Sequence, residues 1–347
     1  MHYAMVRKPV YKNENLKGEM KMYWFILTLA CIILWGVADI LYKVSLDYND
    51  SLSHYKSFVW IGIIMALAGC VMSTWSNTLL DSLKMVQNDV LYLVPLYFAH
   101  AIALFIGLQG IKHLSASVVA PLENIDGAIA TIIIYFYYLL TDYIHPSYGI
   151  GIINVIATVS IIIGVILLGK QEQALMKQEA HLPEDKKKHR LGALALFFPI
   201  LYNLVDGFLI AEINGIGGNS GIVTKGAEVS IPAIDFFVFE CFAFAVVAIG
   251  VWLYMLIVKK YRYNPFQDEE LIRSGAAIGE TGGAMTFLFA SAINPRLTAP
   301  VVSLYCLVTI VLARIFLKER LTRKQYLSLA FVVVGIALLG ISEFLNA

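Results

Sequence analysis

The chain has 347 residues, of which 59% are apolar and only 15% charged, with a mean hydropathy of +0.72. A soluble domain keeps roughly a quarter of its residues charged to cover its surface, so most of this surface faces something other than water. A net charge of +1 excludes the basic field of a nucleic-acid binder. Cys31, Cys70, Cys241 and Cys306 each lie inside an apolar run with no CxxC spacing, and they read as packing residues rather than a disulfide framework or a metal site.

The first 22 residues are polar and basic. The apolar run Tyr23–Tyr42 that follows continues well past the weak lipoprotein-like Thr28-Leu29-Ala30-Cys31, too far for a cleaved leader, and predicts a retained first helix. A bilayer core takes about 20 apolar residues per helix. The further runs are Phe58–Trp75, Val90–Gly110, Ser115–Leu140, Tyr148–Gly169, Leu191–Ile210, Pro232–Val258, Ser274–Ile293, Ala299–Leu317 and Tyr326–Ile341. They predict an all-α membrane protein of about ten transmembrane helices. Short loops place consecutive helices antiparallel. The charged stretch Lys170–Arg190 divides the chain into a first repeat, 23–169, and a second, 191–347.

The halves resemble each other. His113-Leu114-Ser115-Ala116-Ser117-Val118-Val119 aligns with Arg296-Leu297-Thr298-Ala299-Pro300-Val301-Val302, and Leu34-Trp35-Gly36-Val37-Ala38-Asp39 with Leu201-Tyr202-Asn203-Leu204-Val205-Asp206. The two registers differ, which puts an insertion in the Gly-rich loop Asn214–Ser230. Five helices per repeat bring the second copy in from the opposite side, giving two inverted five-helix repeats, the architecture of many secondary transporters.

The stretch from Arg296-Leu297-Thr298-Ala299-Pro300 through Leu317-Lys318-Glu319-Arg320-Leu321-Thr322, with Gln325 and Gly335-Ile336-Ala337-Leu338-Leu339, resembles the closing part of an EamA repeat. Residues 110–169, with Pro121 in the fourth helix, are similar to the matching part of the first. This resemblance to the EamA type of the drug/metabolite transporter superfamily implies transport of a metabolite or drug-like solute and cytoplasmic termini. The sequence departs from the pattern in ending its fourth helix with Leu140-Thr141-Asp142 and in its long charged linker. Lysine and arginine are also denser on the side opposite the termini, which by the positive-inside rule turns the molecule over.

The expected spans contain Asp39, Glu123, Asp126, Asp206, Asp235, Glu240 and Glu280, with Arg314 as the base well inside and Lys43 at the end of the first helix. Each mid-membrane charge costs about 2.5–3.5 kcal/mol, which makes such residues functional candidates. Asp235 is near enough to a helix start to reach the interface, and Arg314 to snorkel toward Lys318–Arg320. Asp39 and Asp206 are repeat equivalents. They read either as an acidic floor flanked by Trp35, Tyr202 and Asn203, or as helix-fixing groups, with Lys43 a partner for Asp39. Glu123 and Asp126, placed on one face of the fourth helix, are candidate proton carriers or else an idle solvated face. Glu280 lies beside the Gly275, Gly279, Gly283 stripe, which is a helix-packing feature. By symmetry it pairs with Tyr97, and both are candidate cavity residues. His100 reads as a packing residue, and Gly215–Gly221 as a flexible connection or lid that lacks the phosphate-binding ending.

No catalytic motif and no cofactor or metal site is read, so the chain is expected not to be an enzyme. The partners expected are a small solute (amine, zwitterion or nucleoside-like, with a proton as candidate coupling ion) and the bilayer of the cell membrane. A lipid flippase of related fold and a non-transporting scaffold or sensor are the alternatives.

Overall fold

The computed structural model describes residues 14–89, 91, 93–141, 151–179, 195–211, 221–224, 227–266 and 270–345. The first half holds α1 (Glu14–Ser45), α2 (Ser53–Trp75), α3 (Leu79–Asp89), α4 (Leu93–His113), α5 (Ala116–Leu122), α6 (Asp126–Thr141) and α7 (Ile152–Glu179). The second holds α8 (Phe197–Ile210), α9 (Ala233–Ile257), α10 (Leu271–Ile293), α11 (Pro295–Val302), α12 (Tyr305–Phe316) and α13 (Arg323–Leu345). Among the described residues nine segments are long and apolar enough to cross a membrane, and α8 is a shorter apolar helix in the sixth position. The chain is a helical multi-pass membrane protein.

Three local features depart from the sequence expectation. The connection after α8 contains a two-stranded antiparallel hairpin, β1 (Gly221–Thr224) paired with β2 (Ala227–Ser230), so it is not wholly irregular. Most of the proposed lid, Gly215–Ser220, lies outside the described residues. Helix α3 is an added amphipathic element, too short to span a bilayer. It buries Ser82 and Val86 while Leu80 and Leu83 stay exposed. Helix α7 runs on to Glu179, carrying the start of the charged linker as helix.

The fourth and ninth spans are both discontinuous. Span four is α5 and α6 separated by a turn at Glu123–Ile125, and span nine is α11 and α12 separated at Ser303–Leu304. Each first segment contains a proline, Pro121 or Pro300, which removes an amide donor and crowds the preceding turn. Glu123 and Asp126 are therefore not neighbours on one helical face. Glu123 closes α5 and Asp126 opens α6.

The main packing joins one half of the chain to the other: α1 lies on α10, α4 on α8, α2 on α9 and α7 on α13. When each span is matched with its repeat equivalent, the pair first–eighth becomes sixth–third, and the pairs second–seventh and fifth–tenth map onto themselves. Lipid is as apolar as leucine, so helices associate there through close backbone approach. A Cβ on Gly164 of α7 would meet the Ser328 carbonyl oxygen at 2.7 Å, and one on Gly335 of α13 would meet that of Ala157 at 2.7 Å. Ile152, Ile156 and Val159, with Val246, Ile249 and Val334, face outward as exposed apolar side chains, the composition suited to lipid.

Charges near the span ends hold the frame. The Lys43 ammonium donates to the carbonyls of Ile111 (2.8 Å), Lys112 (3.3 Å) and Leu114 (2.5 Å) at the end of α4. The Glu319 carboxylate accepts from the amides of Ala116 (3.0 Å) and Ser117 (2.9 Å) and from the Ser117 hydroxyl (2.7 Å). A cation thus meets helix carbonyls and a carboxylate meets helix amides across one short connection, each the favourable sign for that end. Lys43 is committed to this cap and does not pair with Asp39. In the α1–α2 loop burial works against the charge of Asp50, but the Lys56 ammonium at 2.8 Å and the Leu52 amide hold its carboxyl below the usual range. Asp235, in the first turn of α9, is fully buried and accepts from the hydroxyls of Ser76, Thr78 (2.6 Å) and Ser82 (2.6 Å), tying α3 to α9. The Arg314 guanidinium donates to the Tyr326 hydroxyl at 2.6 Å instead of turning to Lys318–Arg320.

Candidate functional site

The discontinuous spans border two small adjoining cavities. Trp35, Asp126, Tyr202, Asp206, Glu280 and Tyr305 line both. One, of about 50 Å³, adds His100, Asn124 and Glu240; the other, of about 30 Å³, adds Asp39, Tyr42 and Glu123. These volumes hold a few waters at most. Neither lining contains a lysine or arginine among the described residues.

The position of each carboxylate follows from its helix. Asp39 lies in the second turn from the end of α1 and accepts from the Thr309 hydroxyl of α12 at 2.8 Å. Asp206, its repeat equivalent on α8, has the His100 ring of α4 beside it, with Nε2 at 3.5 Å from Oδ1. The other ring nitrogen, Nδ1, is 3.0 Å from Glu240 Oε1 on α9. His100 also stacks on Tyr202 at 5.9 Å and meets the edge of Phe244 at 5.4 Å. Trp35 packs against Phe287 and Tyr305 at 5.6 and 5.5 Å. Several polar atoms of the lining residues, Trp35 Nε1, the Tyr42 hydroxyl, Asp126 Oδ1 and both His100 ring nitrogens, are buried without a partner in hydrogen-bond geometry among the described residues.

Of the residues singled out from sequence, Trp35, Asp39, Glu123, Asp126, Tyr202, Asp206 and Glu280 come together here. Asn203 does not line the cavities. It is fully buried, donates to the Pro199 carbonyl at 2.6 Å and accepts from the Asp126 amide at 3.2 Å, fixing the start of α6 on α8. Tyr97 also stands apart. It packs on Phe236 with ring centroids 4.9 Å apart and borders a separate apolar groove of about 340 Å³ with Leu83, Phe239 and Val246. His100 was read as a packing residue, yet it is the ring between two carboxylates. Its partners on α8 and α9 lie over a hundred positions away in the chain, and only the fold brings them together.

Residues 216–341 match the model of the EamA-like transporter family. That family is part of the drug/metabolite transporter superfamily. The second half of this chain is EamA-like. That stretch is what the chain shares with EamA-like transporters, and among the described residues nine segments are long and apolar enough to cross a membrane. A search of curated proteins finds no match. Solved structures do match in fold. One crystal structure of a protein superposes with a TM-score of 0.57 over 91% of this chain and 96% of its own, at 11% sequence identity. At that identity the likeness speaks for the fold alone, over both halves of the chain.

Proposed function

We propose that the protein is a secondary transporter of the cell membrane. Its solute is small and carries a protonated amine, either a simple amine or a zwitterion. One observation carries this reading: carboxylates from α1, α6, α8, α9 and α10 converge on one confined space with no lysine or arginine beside them. Uncompensated carboxylates out of water are costly, and an ammonium arriving among them relieves that cost.

Alternating access then follows the repeat. On this reading the two halves are inverted copies related by a two-fold axis in the membrane plane, and the paired packing of the halves supports it. The breaks in spans four and nine put flexible backbone beside the cavity, where irregular structure is tolerated because it lines polar space. Glu123 and Asp126, on either side of one break, are the proton carriers that couple solute movement to the proton gradient.

The test uses the full chain in proteoliposomes. Radiolabelled amines and zwitterions, isosteric neutral analogues and a fluorescent phospholipid are offered in parallel, with and without a pH gradient. Gradient-driven uptake of the amine or zwitterion class, without the neutral analogues, is the expected result. Movement of the phospholipid alone would overturn it in favour of a flippase. That second reading draws on the apolar groove bordered by Tyr97, whose ring packs on Phe236 of the acidic cavity.

A further inference from the structure

Resting on the cationic-solute reading, we propose that His100 is a resident cation: its imidazolium occupies the solute's ammonium position between Asp206 and Glu240 and gives it up, as a released proton, when the solute binds.

The ring lies between a carboxylate on α8 and one on α9, with a different nitrogen toward each, at 3.5 Å and 3.0 Å. A neutral imidazole has one N–H and one lone pair. Whichever nitrogen lacked the proton would keep its lone pair near a carboxylate oxygen at one of those two distances, although neither contact has hydrogen-bond geometry. The doubly protonated ring avoids that repulsion and puts one positive charge where the cavity lining otherwise supplies only negative ones. The ring is also held in place, stacked on Tyr202 and braced by the edge of Phe244.

The groups facing His100 come from several helices. Asp206 and Tyr202 of α8, and Glu240 of α9, meet it directly. Glu280 of α10 and Asp126 of α6 line the same cavity, while Asp39 of α1 and Glu123 of α5 line the adjoining one. The other bases near α4 are occupied at its far end. Lys43 caps the last carbonyls, Lys112 donates to the Asp50 carbonyl at 2.6 Å, and His54 bonds Gln109.

The exchange balances in charge. One ammonium enters between Asp206 and Glu240, and one proton leaves the His100 ring to water. The ring remains neutral, and the charge attraction that drew it to both carboxylates is lost. His100 thereby makes solute and proton compete for the same pair of carboxylates, which belong to the second half while His100 belongs to the first.

The experiment uses the full chain in detergent, with ethylammonium as the probe. Its affinity is measured from about pH 5.5 to 8.5, and ¹⁵N NMR follows the histidine ring nitrogens, with His100→Gln identifying the signal. For the wild type, both His100 nitrogens are expected to be protonated without probe and to show a neutral ring once ethylammonium is bound. Affinity is expected to fall by about tenfold per pH unit on the acid side, the slope of one-proton competition. His100→Gln should bind ethylammonium more tightly at the acid end with that slope removed, and His100→Lys should fold and bind none. A neutral ring before the probe, or the same acid-side slope in His100→Gln as in wild type, would overturn the resident-cation role while leaving the cationic-solute reading intact. Ethylammonium binding to neither wild type nor His100→Gln would overturn both.

Discussion

The Thr309 hydroxyl on α12 donates to the Asp39 carboxylate on α1 at 2.8 Å. Under the alignment of the two repeats the same relation falls on Asp126 and Asp206, which line the same two cavities. In one place the partner of the aspartate is a hydroxyl with a proton to give. In the other it is a second carboxylate, which has none to give when ionised. Asp39 thus accepts a hydroxyl proton, whereas Asp206 faces a carboxylate at the corresponding position and has the His100 ring beside it.

That asymmetry separates the two aspartates by function. Asp206→Asn is expected to weaken binding of a cationic solute by about 2–5 kcal/mol, the range for removing one partner of a buried charge pair. Asp39→Asn keeps an oxygen that accepts from Thr309 and should cost affinity no more than about 1 kcal/mol. Isothermal titration on both variants, alongside their melting temperatures, checks this. Equal loss of affinity in the two would mean that Asp39 shares the solute.

Much of this was legible in the residues. The spans stood out as apolar runs because backbone in lipid has to satisfy its own hydrogen bonds, and the intramembrane acids stood out by their expense. The pairing of Asp39 with Asp206 came from the repeat. What could not be read was side-chain partnership across the fold. Lys43 lies one helical turn from Asp39 and looks like its partner, yet its flexible stem reaches the carbonyls at the end of α4. Glu123 and Asp126 have helical spacing, but the break after Pro121 is a property of the packed segment. His100 looks like any isolated histidine until α8 and α9 bring their carboxylates to it.

Glu123 offers a test of coupling. If it carries the proton with Asp126, Glu123→Gln should abolish gradient-driven uptake while solute exchange across proteoliposomes continues near the wild-type rate. Glutamine matches the volume and keeps a hydrogen-bonding oxygen, so packing is spared. Full gradient-driven uptake in the variant would leave Glu123 an idle lining residue.

Lys43 and Asp235 are expected to act on stability and not on the solute. Lys43→Met removes the ammonium from three carbonyls at the end of α4 while keeping most of the stem, and should cost about 1–3 kcal/mol. Asp235→Ala leaves the hydroxyls of Ser76, Thr78 and Ser82 without their common acceptor and should cost about 2–4 kcal/mol. Both should lower the melting temperature in detergent. In the Asp235 variant, limited proteolysis should cut between Ser76 and Asp89, because α3 has lost its tie to α9. Changed solute affinity per folded molecule would contradict the structural role of either residue.

The last prediction concerns Gly283, where packing and the cavity meet. Helix α10 lies along α1 through its small residues, and the Cys31 thiol reaches the Gly283 carbonyl at 3.3 Å. A Cβ at Gly283 would stand 2.4 Å from both Cδ1 and Nε1 of the Trp35 indole, closer than any real contact, so either the helices part or the indole moves. The indole is wedged between Phe287 and Tyr305, and displacing it carries an overpacking cost of about 1–3 kcal/mol. Because Trp35 lines both cavities, Gly283→Ala should lower the melting temperature and weaken solute binding together. Gly275→Ala, whose Cβ would meet only the Leu41 side chain at 3.4 Å, should leave both nearly unchanged. Tryptophan fluorescence read against a Trp35→Phe control separates the two routes. A shifted Trp35 emission with lost affinity places the effect at the indole. An unchanged emission with lost stability would place it in the spacing of α1 and α10, and Trp35 would then have no part in holding the solute.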